Sequence, residues 1–206
     1  MPRTATAARP RRTQAERTAA TRAQLLDATI DCLHERGYAS LTTAEIALRA
    51  GVSRGAQLHH FPTKFDLVIA AMEHVFARRH EEFVRRIAAL PAGTERAERA
   101  IDLLWSMVSG HPFSAWLELT VAARTDPKLR ARVSALSERF MQTVRQTFQD
   151  LFPPPATPNP LHDIAPVFAF TLMDGLALQT IAAENPENTT RVLNALKSLA
   201  RLAIPG

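Results

Sequence analysis

The chain has 206 residues, of which 46% are hydrophobic and 6% aromatic, and its formal net charge is +5. This length suits one or two domains with a substantial core. The single cysteine, Cys32, excludes an internal disulfide bond and a zinc site built from several cysteines, and its apolar surroundings predict a buried side chain. The first twenty residues lack the apolar run of a secretory signal peptide, so we expect a cytoplasmic protein.

The positive charge is concentrated at the N-terminus. Residues 1–20 contain five arginines and one glutamate, which leaves the rest of the chain nearly neutral. We expect residues 1–14 to form a disordered basic arm, because arginine and proline are frequent there and large apolar residues are rare. Such an arm favours a polyanionic partner near the N-terminus, and the alternative is a tail that only aids solubility.

The first predicted helix begins between Thr13 and Thr21, and residues 21–24 have the pattern of a capping box. Leu26 and Ile30 fall on one face of this helix, and Gly37 is its expected C-terminal stop.

Two short helices are predicted next. Thr42 caps the first, which continues to about Arg49, and Gly51 provides a tight turn. Ser53 caps the second, which Pro62 ends after at most two turns. Helix, glycine-centred turn and helix at this spacing are typical of a helix-turn-helix, whose second helix would direct polar side chains at DNA.

A long helix is predicted to follow from Thr63 to about Leu90. At ~1.5 Å per residue it would span ~40 Å, which is enough to connect two domains. Proline- and glycine-containing breaks predict five more helices, at residues 94–109, 113–125, 127–151, 161–184 and 187–203. We therefore predict an all-α fold of about nine helices, in three parts: an arm at 1–14, a helix-turn-helix DNA-binding domain at 15–62, and a ligand-binding and dimerisation domain at 63–206 entered through the connecting helix 63–90.

Residues 164–183 form an apolar segment long enough to span a bilayer. Asp174 lies at its centre, where a carboxylate would cost about 3 kcal/mol in a membrane, and Pro166 weakens the pattern further. We interpret the segment as a buried or interface helix and expect no membrane association.

The stretch LTTAEIALRAGVSRGAQLHHFPTKFDLV, residues 41–68, resembles the DNA-binding signature of the TetR family of bacterial transcriptional repressors. This resemblance implies a homodimer that binds a palindromic operator in double-stranded DNA and is released by a small effector, with no cofactor. It also implies that the DNA contacts come from the two motif helices and the start of the next one, namely Thr42, Thr43, Arg54, Gly55, Ala56, Gln57, Leu58, His59, His60 and Lys64.

The sequence departs from the family pattern at two of these positions. Gln57 and Leu58 stand where the family usually has a large apolar residue followed by a tyrosine, so the phosphate contact of that tyrosine is missing. Gln57 either reaches DNA or stays against the core, and Leu58 is a candidate for contact with a thymine methyl group.

The adjacent histidines raise the alternative of a metal or catalytic site. Neighbouring residues on a helix point about 100° apart, so His59 and His60 are poorly placed to bind one metal ion together. His74, His80 and Glu81 do not have the spacing of an HExxH motif. We therefore expect no metal site and no catalytic site.

The resemblance places an effector site in the C-terminal helices. The candidates are their large apolar and aromatic residues, each of which has plain core packing as its alternative: Met72, Phe76, Trp105, Met107, Phe113, Trp116, Met141, Phe170 and Met173. His111, Glu118 and Asp174 are candidate polar groups of this pocket. A mostly apolar pocket with few polar groups predicts a hydrophobic effector.

The last two predicted helices carry apolar stripes suited to dimerisation. The candidate interface residues are Leu172, Gly175, Leu176, Gln179, Leu193, Leu196, Leu199 and Ala200. Gly175 costs roughly 1 kcal/mol inside a helix, which is explained if another helix approaches closely there. The alternative is that both stripes pack onto the core of their own chain.

Two other functions compete with the regulator hypothesis. One is an all-α enzyme that pairs His59, His60 or His111 with a carboxylate. The other is a helical adaptor whose basic arm binds another protein. We predict the regulator and not an enzyme, because the motif at residues 41–68 is the most specific signal in the chain.

Overall fold

The computed structural model describes residues 13–204, and within that range the chain forms nine helices and no strand. The helices are α1 (Gln14–Ser40), α2 (Thr43–Arg49), α3 (Arg54–His60), α4 (Lys64–Ala88), α5 (Thr94–Val108), α6 (His111–Ala123), α7 (Pro127–Leu151), α8 (Pro160–Ala182) and α9 (Pro186–Ala203). The predicted all-α fold is confirmed. The predicted basic arm lies almost entirely outside the described residues.

The start of α1 lies within the predicted range, but its capping box differs from the prediction. Thr13 is the N-cap: its hydroxyl accepts the N–H of Glu16 at 3.2 Å, and the Glu16 carboxylate accepts the N–H of Thr13 at 2.7 Å. The capping box expected at residues 21–24 is wrong, because this earlier cap starts the helix two turns before Thr21. The predicted break at Gly37 is confirmed, since its φ of 68° and ψ of 166° are not helical.

Two other helix starts follow the predicted caps at Thr42 and Ser53, and a third is capped by Asp126. The side chains of Thr42 and Ser53 accept backbone N–H groups three residues ahead, each at 3.2 Å. Asp126 accepts the N–H of Lys128 at 2.9 Å, and Pro127 occupies the first helical position, where its missing N–H costs nothing. These local hydrogen bonds fix the residues at which the helices begin.

One apolar core joins the N-terminal helices to the C-terminal bundle. Leu33 of α1, Ile46 of α2, Leu67 of α4 and Leu119 of α6 are all fully buried in it. Cys32 lies in the same cluster, and burial raises the pKa of its thiol, as expected for a small apolar packing residue. Helix α1 packs along both α4 and α6 and also contacts α2. A shift of α4 or α6 would therefore be transmitted through α1 to the two motif helices.

Helix α8 is the one helix in residues 13–204 that is long and apolar enough to cross a membrane. It carries Asp174 and Pro166 and packs against α5, α7 and α9. Met173 and Leu176 of this helix form an apolar cluster with Ile101 of α5 and Leu193 of α9. One side of α8 therefore belongs to the core of the bundle.

Candidate DNA-binding site and ligand cavity

The turn between α2 and α3 is held by backbone hydrogen bonds and a glycine. Gly51 has a φ of 65°, a conformation that other residues adopt only with strain. The N–H of Val52 donates to the carbonyl of Ala47 at 2.9 Å, which folds the chain back across the end of α2. Ile46 and Ala47 are buried against α1, so the pair of short helices is fixed on a rigid base.

Helix α3 presents one face to solvent. Arg54, Gly55, Leu58 and His59 are exposed, and Leu58 keeps 45% of its surface accessible although it is a large apolar residue. Ala56, His60 and Thr43 are half-buried, and Thr42 is exposed at the start of α2. The exposed face thus presents the guanidinium of Arg54, the bare backbone of Gly55, the apolar side chain of Leu58 and the imidazole of His59.

Gln57 points the other way. Its side chain is 0% exposed, and its Nε2 donates to the carbonyl oxygen of Phe61 at 2.7 Å. Its Oε1 is buried and has no hydrogen-bond partner among the described residues. Of the two alternatives left by the sequence, the structure places Gln57 in the core, and we leave it out of the proposed DNA contacts.

The position of Gln57 leads to a stability prediction. Gln57→Leu should change the free energy of unfolding by less than about 1 kcal/mol, because removing the unpartnered oxygen (~1–3 kcal/mol) is offset by a similar cost for the Phe61 carbonyl, which loses its donor. Gln57→Ala should lower it by about 2 kcal/mol through the cavity it creates. Urea unfolding measures both. A large loss of DNA affinity in the stable leucine variant would instead place Gln57 at the DNA.

Lys64 is partly engaged inside the protein. Its Nζ donates to the carbonyl oxygen of Tyr38 at 3.0 Å and lies 4.4 Å from the centre of the Tyr38 ring. Burial lowers the pKa of Lys64. An ammonium group has three N–H donors, so the bond to Tyr38 leaves donors for a phosphate.

The histidines of α3 do not form a metal site in the structure. The ring centres of His59 and His60 are 5.7 Å apart and the ring planes meet at 65°. Within residues 13–204 no group of three or more His, Cys, Asp or Glu side chains could hold a metal ion.

A cavity of about 430 Å³ lies within the C-terminal bundle and is lined by residues of α4, α5, α6, α7, α8 and α9. Six of the nine candidate ligand-binding residues line it: Phe76, Met107, Phe113, Trp116, Met141 and Phe170. The other three are placed elsewhere. Met72 and Met173 are fully buried in the core, and Trp105 packs against the α5–α8–α9 cluster.

The polar candidates of the pocket separate in the same way. Asp174 lines the cavity, and partial desolvation raises the pKa of its carboxyl group although the residue as a whole is exposed. His111 stacks on His34 of α1 at a ring separation of 3.8 Å. Glu118 accepts the N–H of Tyr38 at 3.2 Å. His111 and Glu118 therefore lie at the contact between α6 and α1.

The sequence reasoning missed several residues of the cavity wall. Phe140 contacts Phe76 at a ring separation of 4.6 Å and Phe170 at 5.3 Å. Phe140, Val144 and Phe148 are spaced by four on α7, and this periodicity could have identified them. Arg79 also lines the wall, and no sequence pattern distinguishes it from the neighbouring arginines.

The candidate dimer residues divide into buried and exposed sets. Leu176, Leu193 and Leu196 pack within their own chain, as the alternative interpretation holds. Gly175 is exposed, and a side chain added there would meet no described atom within 4 Å. The close helix approach inferred from Gly175 is therefore absent within residues 13–204 of one chain.

Comparison with known proteins gives two matches that together span the helix-turn-helix and the bundle. Residues 25–71 match the family model of bacterial regulatory proteins of the tetR family. Residues 93–204, more than half of the chain, match the model of the C-terminal region of BetI-type transcriptional repressors. The chain belongs to the TetR family. The resemblance read from residues 41–68 is thus confirmed.

Relatives that align with most of this TetR-family chain are transcriptional regulators. The HTH-type transcriptional regulator CymR of Pseudomonas putida is 32% identical over 93% of this chain and 94% of its own. The HTH-type transcriptional regulator BetI of Escherichia coli K12 is 29% identical over 82% of this chain and 87% of its own. These relatives confirm a regulator and not an enzyme.

Solved structures share the fold at lower identity. A transcriptional regulator of Saccharomonospora viridis in complex with choline has a TM-score of 0.67 at 21% identity, covering 90% of this chain and 98% of that one. FadR of Bacillus subtilis in complex with stearoyl-CoA has a TM-score of 0.66 at 18% identity, covering 89% and 98%.

Proposed function

We propose that this TetR-family regulator is a homodimeric repressor that binds a palindromic operator and leaves it when a small hydrophobic effector fills the cavity. The exposed face of α3 carries the proposal, because it offers Arg54, Leu58 and His59 on a short helix that packs against α2, which in turn packs against α1. The shape suits insertion into the major groove of DNA. We place the protein in the cytoplasm, where its DNA would be.

Each exposed residue of the motif has a proposed role. The Arg54 guanidinium matches the two acceptors of a guanine, and Leu58 matches the methyl group of a thymine. The small side chains of Gly55 and Ala56 let the start of α3 approach the base pairs closely. The hydroxyl groups of Thr42 and Thr43, the imidazoles of His59 and His60, and the ammonium of Lys64 are proposed phosphate contacts.

The outer faces of α8 and α9 support the proposed dimer. Ile164, Phe168, Gly175 and Leu178 follow one another at intervals of four, seven and three residues, and all four are exposed, the first two at the edge of the cavity that they also line. Leu199 and Leu202 add an exposed apolar edge on α9, the latter at 64% exposure. A second copy packed on this surface would bury these side chains and bring a helix against Gly175, which has no side chain to obstruct it.

Contacts between α6 and α1 suggest how the cavity communicates with the motif. Phe113 and Trp116 of α6 line the cavity, while Glu118 of the same helix accepts the N–H of Tyr38 at the end of α1. A ligand that moves α6 would therefore pull on the base of α2 and α3. Moving the population from 1:99 to 99:1 requires ~5.5 kcal/mol of differential affinity, so only a tightly bound effector would release the DNA fully.

Footprinting on the DNA upstream of its own coding region tests the proposal. The regulator should protect a palindromic site, and the affinity should fall on the order of 10³-fold between 50 and 200 mM salt, since at least six phosphates would be neutralised by the two subunits. An adaptor would protect no site at any salt concentration. Protection without a two-fold symmetric pattern would contradict the proposed dimer.

A further inference from the structure

Arg79 of α4 places a guanidinium in the wall of a cavity whose other lining groups are mostly apolar. The side chain is half-buried, and among residues 13–204 no carboxylate lies within 4.0 Å of it. Glu82 of α4 attracts the guanidinium only at longer range, because its own ion pair is with Arg86 at 3.3 Å. The cavity therefore contains a cation that the protein itself does not neutralise by an ion pair.

This charge cannot be removed by deprotonation. Burial lowers the pKa of Arg79, but a guanidinium stays protonated throughout the physiological range. A buried charge without a counter-ion is costly. An anionic ligand group would supply the missing partner, in the planar two-donor geometry that suits a carboxylate.

A second polar group lines the same cavity. His80, the next residue on α4, forms a hydrogen bond of 2.7 Å between its Nε2 and the Oγ1 of Thr147 on α7, and both residues line the cavity. A neutral imidazole has one N–H and the threonine one O–H, and their mutual bond uses only one of them. Whichever group donates, the other hydrogen is left for a ligand acceptor.

The aromatic part of the wall begins one helical turn before Arg79. Phe76, Phe140 and Phe170 form a continuous cluster, with ring separations of 4.6 Å and 5.3 Å. Apolar rings on one side and unpaired donors on the next turn are complementary to a molecule with an apolar body and an acidic end.

We propose that the effector is a hydrophobic carboxylate, with its carboxylate group bound by Arg79 and the His80–Thr147 pair and its apolar body packed against Phe76, Phe140 and Phe170. This inference rests on the proposed use of the cavity as the effector site.

An organic cation is the opposing possibility, because aromatic rings and a carboxylate also suit a quaternary ammonium group. Asp174 would have to supply the negative charge. Asp174 is exposed and can be hydrated by water, whereas Arg79 is half-buried and has no ion-pair partner in the described part of the chain, so the wall charge that lacks a partner is positive.

Calorimetric titration of the purified protein with three probes of equal chain length tests the proposal: decanoate, decanol and decyltrimethylammonium. Decanoate should bind most tightly, and Arg79→Gln should weaken it ~10- to 100-fold, as expected for loss of a charge-assisted hydrogen bond. Decanol affinity should change less than about threefold, because its neutral head gains little from the charge. Arg85→Gln, at an exposed arginine of the same helix, should leave all three affinities unchanged.

Three results would overturn the proposal: no binding of decanoate by the wild type, equal decanoate affinity in Arg79→Gln and wild type, or tighter binding of the ammonium probe that Asp174→Asn abolishes. If Arg79→Gln also fails to bind decanol, the substitution has collapsed the cavity. Arg79→Lys is then the variant that tests the proposal. Retention of decanoate binding by the lysine variant supports the proposal, and its loss with decanol binding intact contradicts it. DNA release is measured separately, so decanoate that binds through Arg79 without releasing DNA would refute the effector role and leave the assignment of the cavity standing.

Discussion

Replacing Gly37 by alanine should lower the free energy of unfolding by about 2–4 kcal/mol. The residue has a φ of 68° and a ψ of 166°, a conformation that is essentially restricted to glycine and costs ~1–3 kcal/mol for other residues. An added Cβ would also lie 2.6 Å from the Oε2 of Glu118, which accepts the N–H of Tyr38. Displacing that carboxylate would remove a further ~1 kcal/mol. Urea unfolding measures the total.

Gly51→Ala is the matched control for this prediction. Gly51 has nearly the same φ, 65°, but no described atom lies within 4 Å of where its Cβ would be. Its substitution should therefore cost only ~1–2 kcal/mol, the strain of a left-handed backbone alone. Combining Gly37→Ala with Glu118→Ala should cost less than the sum of the two single changes, because the clash is then absent. Equal costs for the two glycines would show that Glu118 does not constrain this junction.

Arg54→Ala should weaken binding to the cognate operator by ~1–3 kcal/mol, which is about 5- to 150-fold. Arg54 is exposed at the first turn of α3, and within residues 13–204 it makes no ion pair or hydrogen bond through its side chain, so its loss should not change stability. Fluorescence anisotropy with labelled operator measures the change. Thermal unfolding of the variant serves as the check that the fold is intact.

The comparison with random DNA separates the two roles that Arg54 can have. If it contacts a guanine, affinity for random DNA should fall much less than affinity for the operator. Arg85→Ala, at an exposed arginine near the opposite end of α4, should leave both affinities unchanged. An equal loss on both DNAs would mean that Arg54 only neutralises phosphate.

The helix boundaries were predictable because they depend on neighbouring residues. Thr42, Ser53 and Asp126 cap helices through bonds to residues two or three positions ahead, so the sequence contains the whole interaction. The same reasoning failed at Thr21, because a complete capping box at Thr13 lies upstream and Thr21 is inside the helix.

Residues of the site that depend on distant contacts were less predictable. Gln57 is polar, yet its side chain is fully buried and donates to the carbonyl of Phe61. Arg79 is one of several arginines on α4, and only the packing of α5, α7 and α8 turns it toward a cavity. Leu176 and Phe168 are both apolar residues of α8, and the position of α5 decides which one is exposed.

Selection of genomic DNA fragments by the purified regulator tests whether α3 contacts base pairs in the major groove. We predict enrichment of one palindromic motif, with half-sites related by two-fold symmetry and an enriched base that Arg54→Ala no longer selects. Recovery of fragments without a shared motif, or a motif that is unchanged in Arg54→Ala, would contradict this account.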